Sequence, residues 1–229
     1  MDTALVTGAS RGLGLALARS LAARGWRLVI DARGKEELLQ ARNELGRMTA
    51  VVALPGDVRD EWHRGALIGA AGGDLRLLVN NASALGPSPQ PPLAGYPLDE
   101  LERVYAANVF APLRLVQLAI PLLERNRGTL INVTSDAAVE PYEGWGGYGS
   151  SKAALDQLSA VLAAEHPGIA VHALDPGDMR TQMHQEAFPG EDISDRPEPE
   201  ESVPALLALI EGRRPSGRYR AAELLETAR

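Results

Sequence analysis

The sequence predicts an α/β protein: a single domain over residues 1–229, with one doubly wound, Rossmann-type parallel sheet of about seven strands and helices on both faces. Three observations predict it. Short apolar runs without alternation recur along the chain, as strands buried on both faces require. Helical-period segments fall between them in β-α-β order, which implies right-handed crossovers. A glycine-rich turn joins the first run to the first helix, where an open α/β sheet places a ligand.

The strand runs are Thr3–Thr7, Arg27–Asp31, Ala50–Leu54, Leu75–Asn80, Thr129–Thr134 and Ile169–Leu174, with a weaker one at Arg218–Ala221. Helices are expected over Leu13–Arg24, Lys35–Gly46, Asp60–Ala71, Asp99–Arg125, Gly149–Glu165 and Glu200–Glu211. Two stretches interrupt the rhythm. Leu85–Pro97 holds five prolines among thirteen residues and reads as a stiff surface loop. The acidic, proline-rich Phe188–Pro199 lies within an excursion over 183–200 that reads as a mobile loop. The α/β rhythm resumes after each, so neither marks a domain boundary.

The chain has 23 Lys and Arg against 30 Asp and Glu, a net charge of −7, and 45% hydrophobic residues. This supports a sizeable core and argues against a nucleic-acid or anionic-membrane surface. The lack of cysteine excludes disulfides, thiolate metal sites and cysteine nucleophiles. His63, His166, His172 and His184 have no metal-ligand spacing; solvated or capping roles are expected, and no metal. Met1 leads almost at once into the first strand, without the basic start and long apolar run of a signal peptide. The longest apolar stretches, such as Val203–Ile210, are too short to span a bilayer. A cytoplasmic location is expected.

The turn reads Thr7-Gly8-Ala9-Ser10-Arg11-Gly12-Leu13-Gly14. Gly8 permits the sharp turn, Gly12 lets backbone approach a pyrophosphate at the helix N-terminus, and Gly14 lets the helix pack close to the sheet. An ordinary tight strand–helix turn could have this spacing; its place after the first strand favours the phosphate reading.

Further signals follow in order. Asn80-Asn81-Ala82-Ser83 follows the fourth strand, Asn108 lies in the long helix, and Ser135 ends the run INVTS. Tyr148 and Lys152 form a Tyr-x-x-x-Lys pair thirteen residues later, and Pro176-Gly177 with Thr181 follows the sixth strand. Together with TGASRGLG, over residues 3 to 185, this set resembles the short-chain dehydrogenase/reductase family, single-domain type. Ser83 departs from the family's usual glycine, and the C-terminus lacks the family's glycine-rich end.

The resemblance implies an enzyme that moves a hydride between a nicotinamide and a small or medium carbonyl or alcohol. It implies cofactor contacts at Gly8, Ser10, Arg11, Gly12, Leu13, Gly14, Val58, Asn81, Ala82, Tyr148, Lys152, Pro176, Gly177, Met179 and Thr181. It makes Asp57 an acceptor for the adenine amino group, although a turn or N-cap aspartate fits the residue equally. At the end of the second strand, Asp31 and Arg33 compete as readers of the adenosine ribose. Matched to the family, the acid that selects NAD(H) would stand at position 32, which is alanine, and a phosphate-binding arginine at 33. With Arg11 as a second charge, NADP(H) is expected over NAD(H); solvated loop arginines are the alternative.

Tyr148 and Lys152, four apart, share a helix face. A phenol titrates near pH 10, and a neighbouring ammonium stabilises phenolate. Tyr148 is therefore the expected acid/base, Lys152 its charge partner, and Ser135 the group that holds the substrate oxygen. By resemblance Asn108 would kink its helix and bind a water linking Lys152 to solvent; a plain helix-interior asparagine is the alternative. Substrate contacts are expected from Ala84–Pro87, Ala137–Trp145 and Met183–Pro199, with Tyr142 and Trp145 either an aromatic wall or loop packing. The Asp99–Arg125 and Gly149–Glu165 helices carry apolar residues on more than one side; the resemblance, in which these helices pair across a twofold axis, implies a homodimer or homotetramer, with burial within one subunit as the alternative. The competing readings are a non-catalytic NADP(H) sensor, an NAD-dependent dehydrogenase, and a sugar-nucleotide epimerase, for which too little chain follows Pro176.

Overall fold

The computed structural model describes residues 1–212 and 214–226. Its strands are β1 (Thr3–Val6), β2 (Arg27–Ala32), β3 (Val51–Pro55), β4 (Leu75–Asn80), β5 (Thr129–Val133), β6 (Ala170–Asp175) and β7 (Gly217–Arg220). They form one sheet of order β3-β2-β1-β4-β5-β6-β7, parallel at every pairing. The order reverses between β1 and β4, so their carboxyl ends open a crevice.

Strand residues alternate between two apolar layers. Ala4 and Val6 of β1 face the layer of α1 (Gly12–Ala23), α2 (Lys35–Leu45), α8 (Val203–Glu211) and α9 (Ala221–Glu226). Leu5 between them faces α3 (Glu61–Ala71), α5 (Ala111–Asn126) and α6 (Gly146–Glu165). Both faces are covered, which is why the strands read as unbroken apolar runs.

Three elements differ from the sequence expectation. The segment read as one helix over Asp99–Arg125 is α4 (Leu98–Tyr105), a π-helical turn at Ala106–Phe110, and α5. The turn surrounds Asn108, whose side chain bonds outside the helix, a common cause of such a bulge. The excursion contains α7 (Gln182–Ala187), too short for the apolar period to reveal it. The helix expected over Glu200–Glu211 begins as a 3₁₀ turn at Pro199–Ser202, where Glu198 and Glu201 form a capping box, and continues as α8.

The apolar stretch at Val203–Ile210 is also not the longest. The run Leu98–Asn126 is long and apolar enough to cross a bilayer, although 50% of its most apolar window is buried inside the protein. Leu115, Val116, Ala119 and Leu123 contribute to that burial in the core layer on the sheet.

Two histidines correct the expectation of solvated or capping roles. His63 is buried against Asp31, and His172 of β6 is wholly buried with its ring against Tyr219. Neither ring nitrogen of His172 has a partner among the described residues. Burial lowers its pKa to about 4 from 6.5. The imidazole thus stays neutral in the fold while the unfolded chain takes up a proton, so stability is complete above pH 6.5 and falls as pH drops toward 4. Chemical denaturation should register a loss on the order of 3 kcal/mol across that window. His172→Leu should shrink the loss, and an unchanged pH dependence in that variant would exclude His172 as its source.

Candidate active site

The crevice is held by backbone and short polar side chains. Thr7 Oγ1 donates to the Val79 carbonyl (3.3 Å) and accepts from the amides of Asn81 and Ala82 (3.0 Å each). Asn81 Nδ2 donates to the carbonyls of Thr7 (2.8 Å) and Gly8 (3.1 Å). Asn81 thus braces the turn with its side-chain amide, so contact with a ligand is left to its main chain.

The turn fits an anionic ligand. Gly8 and Gly12 have φ of 65° and 55°, in the left-handed region. A Cβ on Gly14 would lie 2.5 Å from the Gly8 carbonyl and 2.6 Å from Asn81 Nδ2. Above Gly12 the space is open, bounded by Thr181 Cγ2 at 3.6 Å from a Cβ placed there. No side chain caps the start of α1, and its first turn has no acid. Its leading amides therefore face an open gap, the arrangement in which a helix N-terminus receives phosphate. Leu13 is buried, and Ser10 is half-buried on the turn.

Asp31 is buried, accepts from the Gly8 amide (2.9 Å) through Oδ1, and lies 3.1 Å from His63 Nε2 through Oδ2. Both oxygens are engaged beneath the turn, so Asp31 is a brace and not a ribose reader. Arg33 and Arg11 are exposed, and among the described residues no carboxylate lies within ion-pair distance of either. Asp57 takes the turn role: it accepts from the Arg59 amide and pairs with its guanidinium (2.6 Å), which holds its carboxyl below the usual range. An adenine amino group would compete with that pair. The buried Val58 has its carbonyl on Arg64 (2.6 Å).

At the ends of β4 and β5 the expected catalytic side chains converge. Ser135 follows β5, donates to Asp136 (2.9 Å) and accepts from the Ala137 amide (3.2 Å). Tyr148 and Lys152 lie on one face of α6, the ammonium 5.5 Å from the ring centre. Lys152 is buried and donates to the Val133 carbonyl (2.8 Å); burial lowers its pKa to about 8, which Asp156 partly opposes. Burial also pushes the Tyr148 phenol well above its usual range, opposed by hydrogen bonds to Ser83 and Ser135 and assisted by Asp175 and Asp136. This reverses the sequence-based expectation of a lowered phenol: desolvation outweighs a partner whose own charge is weakened by burial.

Asn108 is fully buried. Its Oδ1 accepts from Ser83 Oγ (3.1 Å) and the Ala84 amide (2.8 Å); its Nδ2 donates to the Ala84 carbonyl and Ser151 Oγ (2.9 Å each). Every side-chain site is engaged by protein, so a water at Asn108 would have to bond its main chain. Opposite lies the loop after β6. The Gly177 amide donates to Asp175 (3.0 Å), Ser202 donates to the Pro176 carbonyl (2.9 Å), Met179 packs on the core, and Thr181 caps α7 through the His184 amide (3.2 Å). Leu85, Ala137 and Tyr148 form a small apolar cluster that Trp145 and Ala187 cover.

Two participants were missed. Ser83 stood out only as a departure from the resemblance, yet it touches both Tyr148 and Asn108. Arg218 of β7 donates to the Ser135 carbonyl (3.0 Å), pairs with Asp156 (2.9 Å) and lies 3.6 Å from Asp175. No local signal could identify it, because its partners come from three other segments.

A phosphate-ready turn at the switch in strand order, facing a Ser–Tyr–Lys set at the neighbouring strand ends, defines an oxidoreductase of the Rossmann class. Comparisons with known proteins agree. Residues 2–192 match the family model described as short chain dehydrogenase. Sepiapterin reductase of Mus musculus is 35% identical over 197 residues, covering 79% of this chain and 76% of its own. Serine 3-dehydrogenase of Rhizobium radiobacter is 35% identical over 187 residues, covering 79% and 73%. A short chain dehydrogenase structure from Shigella flexneri, complexed with NADP, superposes with a TM-score of 0.86 at 28% identity over 96% of this chain and 97% of that one. The chain belongs to the short-chain dehydrogenase family, whose members bind a nicotinamide cofactor.

Gly14→Ala should displace the turn or Asn81, weakening nicotinamide dinucleotide binding about tenfold and destabilising the fold by about 1–3 kcal/mol. Calorimetric titration and thermal unfolding measure the two effects; wild-type values for both would show that the close approach at Gly14 is dispensable.

Proposed function

We propose that this chain is an NADP(H)-dependent oxidoreductase that interconverts a small or medium carbonyl compound and its alcohol, with Tyr148 as the acid/base. The observation that carries this reading is the convergence of Ser135, Tyr148 and Lys152 beside an open, phosphate-ready turn. A bound nicotinamide would supply or accept the hydride. The protein's part is to place the substrate oxygen between the Ser135 and Tyr148 hydroxyls and to move a proton at the phenol oxygen. The phenol is protonated at neutral pH, as donation to a carbonyl that becomes an alcohol requires, while its raised pKa makes it a weaker donor until nearby positive charge stabilises the phenolate. Lys152, with its pKa near 8, is the nearby cation for phenolate formed in that step. Pro176, Gly177, Met179 and Thr181 would bound the nicotinamide end of the crevice, and Asn81, Ala82 and Val58 its adenosine side.

The choice of NADP(H) over NAD(H) rests on charge. Asp31 is engaged below the turn, Ala32 holds the selecting position, and Arg33 and Arg11 are exposed at its mouth. A 2′-phosphate would meet two guanidinium groups and no carboxylate from β2. The NADP complex of the Shigella relative is consistent with this. We also place the protein in the cytoplasm as one domain, working as a homodimer or homotetramer. Exposed Phe110 beside α5 and Val161 on α6 support helix pairing between subunits.

Tyr148→Phe should lower kcat about 10²–10⁴-fold, while NADPH binding, read by fluorescence titration, stays near wild type. Retained turnover would remove Tyr148 from the chemistry, and a wild type inert toward carbonyls and alcohols would favour a sensor. Arg33→Asp should weaken NADPH binding about tenfold or more relative to NADH. Equal losses for the two cofactors would remove the NADP assignment.

A further inference from the structure

We propose that the substrate class is an uncharged ketone bearing an aromatic ring next to its carbonyl, in preference to aliphatic or anionic carbonyl compounds. This rests on the oxidoreductase reading above and concerns the same pocket. The chain holds only ten aromatic residues: three Trp, five Tyr and two Phe. Four of them form one continuous series around the phenol. Trp145 meets Tyr148 edge-on with centroids 5.9 Å apart, Tyr142 edge-on at 6.3 Å, and Phe188 tilted at 5.7 Å. His184 extends the series to Phe188 at 4.9 Å.

The rings come from two independent segments, the stretch before α6 and the end of α7. Sequence proximity therefore does not explain their meeting. Trp145 and Ala187 lie over Tyr148 in this structure. A substrate that reaches the phenol would replace those contacts. A flat aryl group does so with the least loss, because it restores ring contacts to Trp145 and Phe188.

Charge narrows the class. Residues 136–143 contain Asp136, Glu140 and Glu143 and no Lys or Arg; residues 84–97 carry no charge. Residues 182–199 contain Glu186, Glu191, Asp192, Asp195 and Glu198 against Arg196. Arg196 is shared between Asp195 and Asp178, and Arg180 pairs with Glu198. The segments that bear Tyr142 and Phe188 thus carry net negative charge, which would disfavour a carboxylate or phosphate. In the proposed step the carbonyl carbon gains a hydride from reduced nicotinamide and the carbonyl oxygen gains the Tyr148 proton. The C=O π bond becomes C–H and O–H bonds, and one oxidised nicotinamide is released.

Three probes with NADPH test this: 1-phenylpropane-1,2-dione, hexane-2,3-dione and phenylglyoxylate. The neutral aryl dione should show a kcat/KM about tenfold or more above each of the others. It should also quench tryptophan fluorescence of the NADP⁺-bound protein at concentrations where the aliphatic dione does not. The Trp145→Leu/Phe188→Leu double variant should bring the aryl-to-aliphatic ratio toward one. A ratio near one in wild type, or a ratio unchanged in the variant, overturns the substrate class and leaves the oxidoreductase reading standing. Efficient reduction of phenylglyoxylate overturns the charge argument. Failure of wild type to bind NADPH sinks both readings.

Discussion

The site depends on a relay of buried polar contacts that ties the glycine turn to the catalytic helix. Asn81 holds the Thr7 and Gly8 carbonyls, and Thr7 in turn holds the Asn81 and Ala82 amides. Two residues on, Asn108 clamps both main-chain groups of Ala84 and reaches Ser151, which donates to the Tyr148 carbonyl (2.6 Å). Four segments far apart in sequence are thereby tied together. Buried groups satisfied in this way are costly to disturb, because each lost partner strands a polar atom in a low dielectric. The glycine turn and the phenol are therefore linked through one set of contacts, and hydride chemistry between a bound cofactor and a substrate would demand such fixed placement.

The same burial that orders the site sets its titration. Tyr148 is pushed up and Lys152 down by loss of water, so both neutral forms gain at the expense of the charged ones. Asp175, itself raised mainly by burial, lies close enough to Tyr148 to push the phenol further. Arg218 and Arg220 lie near that carboxylate, at 3.6 and 3.8 Å. The last strand thus acts on the electrostatics of the proposed acid although it lies outside every motif. A phenol kept protonated is suited to reduction; alcohol oxidation would have to work against that environment.

The architecture was legible because it rests on local rules. The parallel-strand runs, the crossover helices and the Gly8–Gly14 turn lie within one to three residues of their expected bounds, since two-sided burial and helical period leave marks in sequence. Ser135, Tyr148 and Lys152 stood out by the spacing they share with a family pattern, and the fold brings them together after β5 and on α6. What escaped detection was decided by distant partners. Asp31 looked like a ribose reader until the Gly8 amide and His63 claimed its oxygens. Asn108 stood out as a helix asparagine, but its bonds to Ala84 and Ser151, in two other segments, left no local mark. His172 carried no apolar signature, yet it occupies a fully buried strand position.

Ser83 shows what one such departure does to a site. Glycine at that position would leave the Tyr148 phenol one hydroxyl partner, Ser135. The serine adds a second and joins it to Asn108, so the phenol oxygen is held from the β4 side as well as the β5 side. Two hydroxyls pull the phenol down while desolvation pushes it up, and desolvation prevails. If the α7 segment moved aside, water entry would weaken the desolvation cost of phenolate, while the contacts from Ser83 and Ser135, which follow β4 and β5, would remain. The proposed acid would then be strongest as a proton donor when a substrate has displaced Ala187, and weakest when the phenol is covered and no carbonyl is present.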